Sequence, residues 1–261
     1  MAATIDKTRQ DHYSAFYSDN FYSFLQSDKN FISASKVIQV AKNYLNFQSV
    51  IDIGCGVGNM LRACLDLGVK TIRGVDGSWV NQKMLVIPPE NFSQFDISRP
   101  GLKDSIPEKF FDLAISSEVA EHIEPEEADI YLDNLTSFSD VILFSAAIPH
   151  QGGTHHVNEQ WPSYWIKKFK ARNFIPVDCI RPKIWNDENI YFWYRQNMLF
   201  FVRENVLKNY PLLEQESRRP ICDVVHPEIY ENIFKQEIGF RTCCKNIIPA
   251  FLRSVKRRIG H

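Results

Sequence analysis

The sequence predicts a doubly wound α/β fold with a mostly parallel, seven-stranded sheet, and three observations lead to it. Short apolar runs alternate with segments of helical period between residues 34 and 203. A glycine-rich turn, Asp52-Ile53-Gly54-Cys55-Gly56-Val57-Gly58, joins the first such run to the helix after it. The chain has 261 residues, 44% hydrophobic and 23% charged, enough to bury one large core. Strands that alternate with helices form a parallel sheet covered on both faces.

Residues 34–46 set Val37, Ile38, Ala41, Tyr44 and Leu45 on one helical face and lead into the buried strand SVIDIG, which ends at glycine. After the glycine turn, NMLRACLDLG has helical spacing and stops at Gly68, and TIRGVD reads as a second strand, completing a βαβ unit by Asp76. NFSQFD (91–96) is a weaker third strand and KFFDLAISS (109–117) a fourth. Pro125 to Phe138 forms a helix with Glu126 and Glu127 near its positive end. DVILFSAAIP (140–149) is the most apolar strand, Trp165 to Arg172 is helical, and FIPVDCI and FWYRQNMLFFVRE are the last two strands. This organisation gives an N-terminal segment (1–33), a central domain (34–203) and a mainly helical, basic C-terminal extension (204–261). In the first segment, Tyr13, Phe16, Tyr17, Phe21 and Tyr22 either cover the site or pack on the sheet edge. In the last, HPEIYENIFKQEIGF is helix-like, and CCKNIIPAFLRSVKRRIGH mixes apolar residues with Lys245, Arg253, Lys256, Arg257 and Arg258. That stretch is either a weak membrane-surface or phosphate contact or a solvated helix docked on the core.

Composition narrows the classes. Thirty Lys and Arg stand against 31 Asp and Glu, which weighs against a surface built to grip nucleic acid. The six cysteines show no CxxC pairing, and Cys55 sits inside the glycine turn, so they read as reduced thiols of a cytoplasmic protein. The N-terminus has no secretory pattern, and no stretch approaches the roughly 18 uninterrupted apolar residues of a membrane span.

A glycine-rich turn between a buried strand and a helix lets backbone N–H groups approach a ligand and aims a helix N-terminus at it. Asp76 ends the next strand, where a carboxylate can accept hydrogen bonds from both hydroxyls of an adenosine ribose. The dinucleotide fingerprint GxGxxG is absent, since Asn59 follows Gly58.

Taken in order, VIDIGCGVG, GVD, Phe95-Asp96 and FDLAISSEVAEHI resemble the motif set of class I S-adenosylmethionine (SAM)-dependent methyltransferases over residues 34–203. The resemblance implies that Asp52 lies near the methionine end of SAM, Asp76 holds the ribose, Trp79 packs on adenine, and Asp96 and Ile97 meet the adenine amino edge. Gly54, Cys55, Gly56, Gly58, Gly77, Ser117 and Glu118 complete the expected cofactor site. The remainder, from SAAIPHQGGTHHVNEQWPSYW onward, resembles bacterial and phage methyltransferase-domain proteins whose acceptors are mostly unassigned, some in surface-glycan contexts.

In an open α/β sheet the substrate meets the cofactor at the carboxyl ends of the strands. Glu118, Glu121 and His122 form an ExxEH arrangement whose spacing can bring them to one face. With His156 as a fourth ligand they form a candidate site for Mg2+ or another divalent ion. This arrangement resembles that of small-RNA 2′-O-methyltransferases and ubiquinone-pathway O-methyltransferases. The same motif also serves methyltransferases of this fold without a metal, where Glu118 and His122 shape the cofactor pocket. His150, His155 and His156 are the candidate bases for an acceptor that must lose a proton. The leading expectation is transfer of a methyl group to an oxygen or nitrogen of a small molecule or glycan. A metal-assisted RNA 2′-O-methyltransferase and a non-catalytic SAM-binding scaffold are the alternatives.

Overall fold

A computed structural model describes residues 7–235, 247 and 249. The chain divides into two compact units, Met1–His226 and Pro227–His261. In the first, helices α1 (Lys7–Phe16), α2 (Asp19–Leu25) and α3 (Asp28–Lys42) precede β1 (Ser49–Ile53). Helix α4 (Asn59–Asp66) leads to β2 (Thr71–Asp76) and β3 (Phe92–Gln94), and α5 (Leu102–Ser105) to β4 (Leu113–Ser117). Then follow α6 (Ala128–Thr136), β5 (Val141–Ser145), α7 (Pro162–Lys170), β6 (Phe174–Val177), α8 (Arg181–Ile184), α9 (Phe192–Asn197), β7 (Leu199–Arg203) and α10 (Pro211–Glu216). The described part of the second unit contains α11 (Pro227–Lys235).

The seven strands form one mostly parallel sheet, as the sequence predicts, and their order is β3-β2-β1-β4-β5-β7-β6. Only β7 runs antiparallel, pairing with β5 on one side and β6 on the other. Alternation along each strand sorts side chains into two layers. Val50, Leu113, Ile115, Leu143 and Phe200 join the layer that packs with α3 and α4. Ile51, Ala114, Ile142, Phe144 and Phe201 join the layer with α6 and α7. Such fully buried central strands carry no polar face, hence their continuous apolar runs.

Several boundaries differ from expectation for identifiable reasons. The segment FWYRQNMLFFVRE is not one strand, because its first half is α9. There the buried side chain of Gln196 bonds the Val224 carbonyl and the His226 N–H, and Arg195 bonds the Trp185 carbonyl, so polar partners override an aromatic, strand-like pattern. The fourth strand starts at Leu113, since Phe111 N–H turns to the Phe138 carbonyl and Asp112 accepts from the N–H groups of Gln48 and Ser49. Residues 204–226 pack within the first unit, where Leu213 is fully buried and Asp223 accepts from the Ser163 N–H and hydroxyl. The compact unit therefore runs past Arg203 to His226. Lys245, Arg253, Lys256, Arg257 and Arg258, proposed as a lipid- or phosphate-attracting group, and Cys243 and Cys244 lie outside the described residues. Cys55, Cys64, Cys179 and Cys222 are free thiols. Among the described residues no helix is long and apolar enough to cross a membrane.

Candidate functional site

Loops at the carboxyl ends of the parallel strands enclose a cavity of about 390 Å³. Its first wall is the turn after β1. Gly54, Gly56 and Gly58 have φ of 84°, 53° and 95°, a region that side chains avoid. A Cβ on Gly54 would also lie 2.5 Å from a Val119 methyl group. The turn is tied to β2, because Gly54 and Cys55 N–H donate to the Val75 carbonyl at 2.8 and 3.2 Å. Gly56 N–H donates to Asp76 Oδ2 at 2.8 Å and Gly77 N–H to Asp76 Oδ1 at 2.7 Å. The Trp79 side chain is a third donor to this carboxylate, which leaves one further lone pair for a ligand. Burial pushes the Asp76 carboxyl up to about 6, against the pull of those two N–H groups, and burial with the Asp76 charge pushes Asp52 up to about 8. The Trp79 ring lies over Gly77, where a Cβ would come within 2.1 Å of it, and Tyr13 packs on Trp79 with centroids 4.5 Å apart. Asp96 and Ile97 continue the wall, Asp96 Oδ1 accepting from the Ser98 N–H and hydroxyl at 3.1 and 2.6 Å.

The opposite wall follows β4 and β5. Ser117 and Glu118 line it, and Glu118 sits at φ 54°. The Glu118 carboxylate accepts from Gln151 Nε2 at 2.8 Å and Asn197 Nδ2 at 3.1 Å, and burial raises its pKa against those bonds. Beyond it, ligand atoms of Glu121, His122 and His156 lie within 4.8 Å of one another. Glu121 is fully buried and neither carboxylate oxygen has a hydrogen-bond partner, while its carbonyl accepts from Val157 and Asn158 N–H at 2.9 Å. Its pKa is pushed well above the usual carboxylate range, first by burial and then by the Glu118 charge. His122 is pushed down to about 3 by burial and by His156, so its ring is neutral at physiological pH.

Hydrogen bonds orient both rings. His122 Nδ1 lies 3.2 Å from the His155 carbonyl, which only accepts, so Nδ1 carries the hydrogen and Nε2 the lone pair. The Tyr17 hydroxyl shares that nitrogen at 3.0 Å. His156 Nδ1 donates to Glu159 Oε1 at 2.9 Å, which leaves its Nε2 free in the same sense. Glu159 also accepts from His150 N–H at 2.8 Å and Gly152 N–H at 2.7 Å, folding the loop around His156. A Cβ on Gly153 would stand 2.1 Å from His156 Nε2, so only glycine leaves room for that ring.

Three of the sequence-derived assignments meet a different geometry. Glu118 is not among the clustered ligand atoms, because its oxygens are turned to Gln151 and Asn197. His150 is exposed on the outer loop, and the His155 ring packs on Phe16 and Tyr13 at 4.3 and 5.5 Å between centroids, so neither lines the cavity. Of the three candidate bases His156 alone reaches it. Gly58 and Gly77 do not line the cavity but hold the backbone of its wall. The N-terminal helices cover this site. Tyr13, Tyr17, Phe21 and Tyr22 line the cavity, and Asn59 Nδ2 donates to the Leu25 carbonyl at 2.6 Å. Glu159 and Asn197 escaped sequence reading: Glu159 stands three residues after His156, a legible spacing, whereas Asn197 was hidden in an expected strand.

Residues 11–163 match a family model described as "Methyltransferase domain". Magnesium protoporphyrin IX methyltransferase from Synechocystis PCC 6803, solved with bound SAM, is 19% identical with a TM-score of 0.51, over 78% of this chain and 99% of that one. Human N-acetylserotonin methyltransferase, solved in complex with SAM, is 15% identical with a TM-score of 0.50, over 73% of this chain and 58% of that one. These likenesses show the fold. No curated protein matches the chain by sequence.

Proposed function

Because the chain belongs to the methyltransferase-domain family, we propose that it is a SAM-dependent methyltransferase acting on an oxygen or nitrogen of a small-molecule or glycan acceptor. One observation carries the reading: a single cavity joins the glycine turn and Asp76 to the Glu121, His122 and His156 cluster. The residues fit the cofactor. The open turn offers backbone at close range, Asp76 offers a carboxylate to the ribose hydroxyls, Trp79 offers a ring face to adenine, and buried Asp52 would lie at the methionine side. When bound, SAM supplies an electrophilic methyl carbon on a sulfonium.

The chain's own contribution is to orient the acceptor and exclude water, since the transfer is an in-line displacement. For a hydroxyl acceptor, His156 Nε2 would take the hydroxyl proton as the oxygen accepts the methyl group that bound SAM would supply. Glu159 stabilises the imidazolium so formed from the other side of the ring.

The cluster also fits a divalent cation, on the unpartnered, buried oxygens of Glu121 and the two outward Nε2 lone pairs. Glu121, His122 and His156 would hold the ion, which would supply Lewis acidity toward the acceptor oxygen. The His156 lone pair then serves as ligand instead of base. Activity retained in excess chelator assigns the base role; activity lost on chelation and restored by Mg2+ assigns the ligand role. The reading includes a cytoplasmic setting, supported by the buried, unpaired Cys55, Cys64 and Cys179.

Calorimetry with SAM and S-adenosylhomocysteine (SAH) tests the reading. Both are expected to bind at one site per chain, and binding of neither overturns it.

A further inference from the structure

The acceptor half of the cavity differs in chemistry from the cofactor half. Among the described residues the wall contains no Lys or Arg, while Asp52, Asp76, Asp96, Glu118 and Glu121 all contribute to it. The first three stand on the glycine-turn side, where the sulfonium and ammonium charges of SAM would face them. Glu118 is committed to Gln151 and Asn197. An acceptor bearing phosphate or carboxylate would meet these acid groups and no Lys or Arg among the described residues of the wall, which disfavours it. Glu121 remains, fully buried with both oxygens unpartnered, so whatever occupies the cavity has to supply its hydrogen-bond partner.

At the mouth the wall becomes aromatic. Trp193 lines it and stacks on Tyr191 behind, with centroids 4.1 Å apart and planes 12° from parallel. Phe24, from α2, lines it as well, 6.4 Å from Trp193 and tilted 54° to it, and keeps 44% of its surface exposed. The Lys29 ammonium lies over the Tyr191 ring at 4.8 Å and is not part of the cavity wall. Phe24 also lies 5.8 Å from Tyr191, so the three rings touch one another and present one aromatic wall against which a flat and partly apolar molecular face can lie.

Resting on the methyl-transfer reading above, we propose that the acceptor is an uncharged, hydroxyl-bearing ring that lies against Trp193 and Phe24 and turns a hydroxyl toward Glu121, His122 and His156. The hydroxyl gives Glu121 the hydrogen bond it lacks, and the ring face covers aromatic surface that is otherwise in water. A sugar unit without phosphate and a phenol share this chemistry. RNA does not, because its phosphates find no partner in the wall.

The test begins with SAH calorimetry, so that failure of the cofactor reading is seen separately. The protein is then incubated with methyl-labelled SAM and a cell extract split into RNA, an anion-exchange-retained fraction, a cation-exchange-retained fraction and a neutral flow-through divided into carbohydrate and phenolic pools. Label in the neutral flow-through is expected, and the pool that carries it identifies the source of the ring. Two variants read the aromatic wall. Trp193→Ala, and Phe24→Ala at an exposed position where the core is untouched, each lower labelling at subsaturating extract at least tenfold while SAH affinity stays within twofold. With SAH binding intact, label found only in RNA or in a charged fraction, label in no fraction, or labelling unchanged in both variants overturns the proposal.

Discussion

Asp76 illustrates how much one side chain's surroundings decide. Its two oxygens are aligned by the N–H groups of Gly56 and Gly77, yet burial holds the carboxyl up at about 6. In the proposed role Asp76 accepts from the cofactor ribose in its ionised form, so protonation would compete with the cofactor as pH falls through that value. The Kd for SAH is therefore expected to rise roughly tenfold from pH 7.5 to pH 5, following a pKa of about 6. Calorimetry across that range checks it, and an Asp76→Ala variant should bind weakly with little pH dependence. Gly153 makes a different point, because its role is to be empty. The Cβ of Gly153→Ala would fall 2.1 Å from His156 Nε2 and displace the ring. Since a misplacement of about 1 Å in a reacting group costs on the order of 10²-fold, methyl transfer should fall by about that factor. SAH binding should stay within about twofold, since the added Cβ meets His156 and not the cofactor turn. A loss of both together would count against a role confined to His156.

At the scale of an element, α1 is the informative one. It adds little to the core, since Tyr13 is the buried hydrophobic residue it contributes among those described, but it touches both halves of the site. Tyr13 packs on Trp79, and Tyr17, the residue just after the helix, reaches His122 Nδ1 at 3.0 Å. Deleting residues 1–17 is expected to shift the thermal midpoint by less than about 3 °C, because few buried contacts are lost. The same deletion should weaken SAH binding about tenfold, equivalent to about 1.4 kcal/mol, by uncovering Trp79. A collapse of the thermal transition would show that α1 belongs to the folding core instead. Tyr17→Phe keeps the ring and removes only the hydroxyl, so a fall in kcat with unchanged KM for SAM is its expected signature.

For the molecule as a whole, stability rests on the two apolar layers that the sheet separates. Phe201 of β7 stacks on Phe169 of α7 with centroids 3.8 Å apart and planes 17° from parallel, and Phe144 meets both edge-on. Replacing fully buried Phe201 by alanine is expected to cost about 3–5 kcal/mol, from lost burial and the cavity left behind, measured by urea unfolding. Because α7 follows the loop that carries His156, this cost should come with reduced activity even though Phe201 is remote from the cavity. A loss under about 1 kcal/mol would mean that the layer repacks.

The sequence by itself determined the seven-stranded order of elements, the glycine turn and the acidic end of β2, because each rests on local chemistry. Strand runs buried on two faces are apolar throughout, helices are periodic, and φ above zero calls for glycine. It also brought Glu121, His122 and His156 under suspicion through spacing. Only the tertiary structure decided that Glu118 turns away to Gln151 and Asn197, that His150 and His155 point elsewhere, and that FWYRQN is helical. The two partners of Glu118 stand 33 and 79 residues away in the chain, and the His155 ring packs on residues of the N-terminal helix, contacts that no local pattern encodes. The absence of cations from the described wall is of the same kind, since it is a property of which side chains meet and not of how many the chain contains.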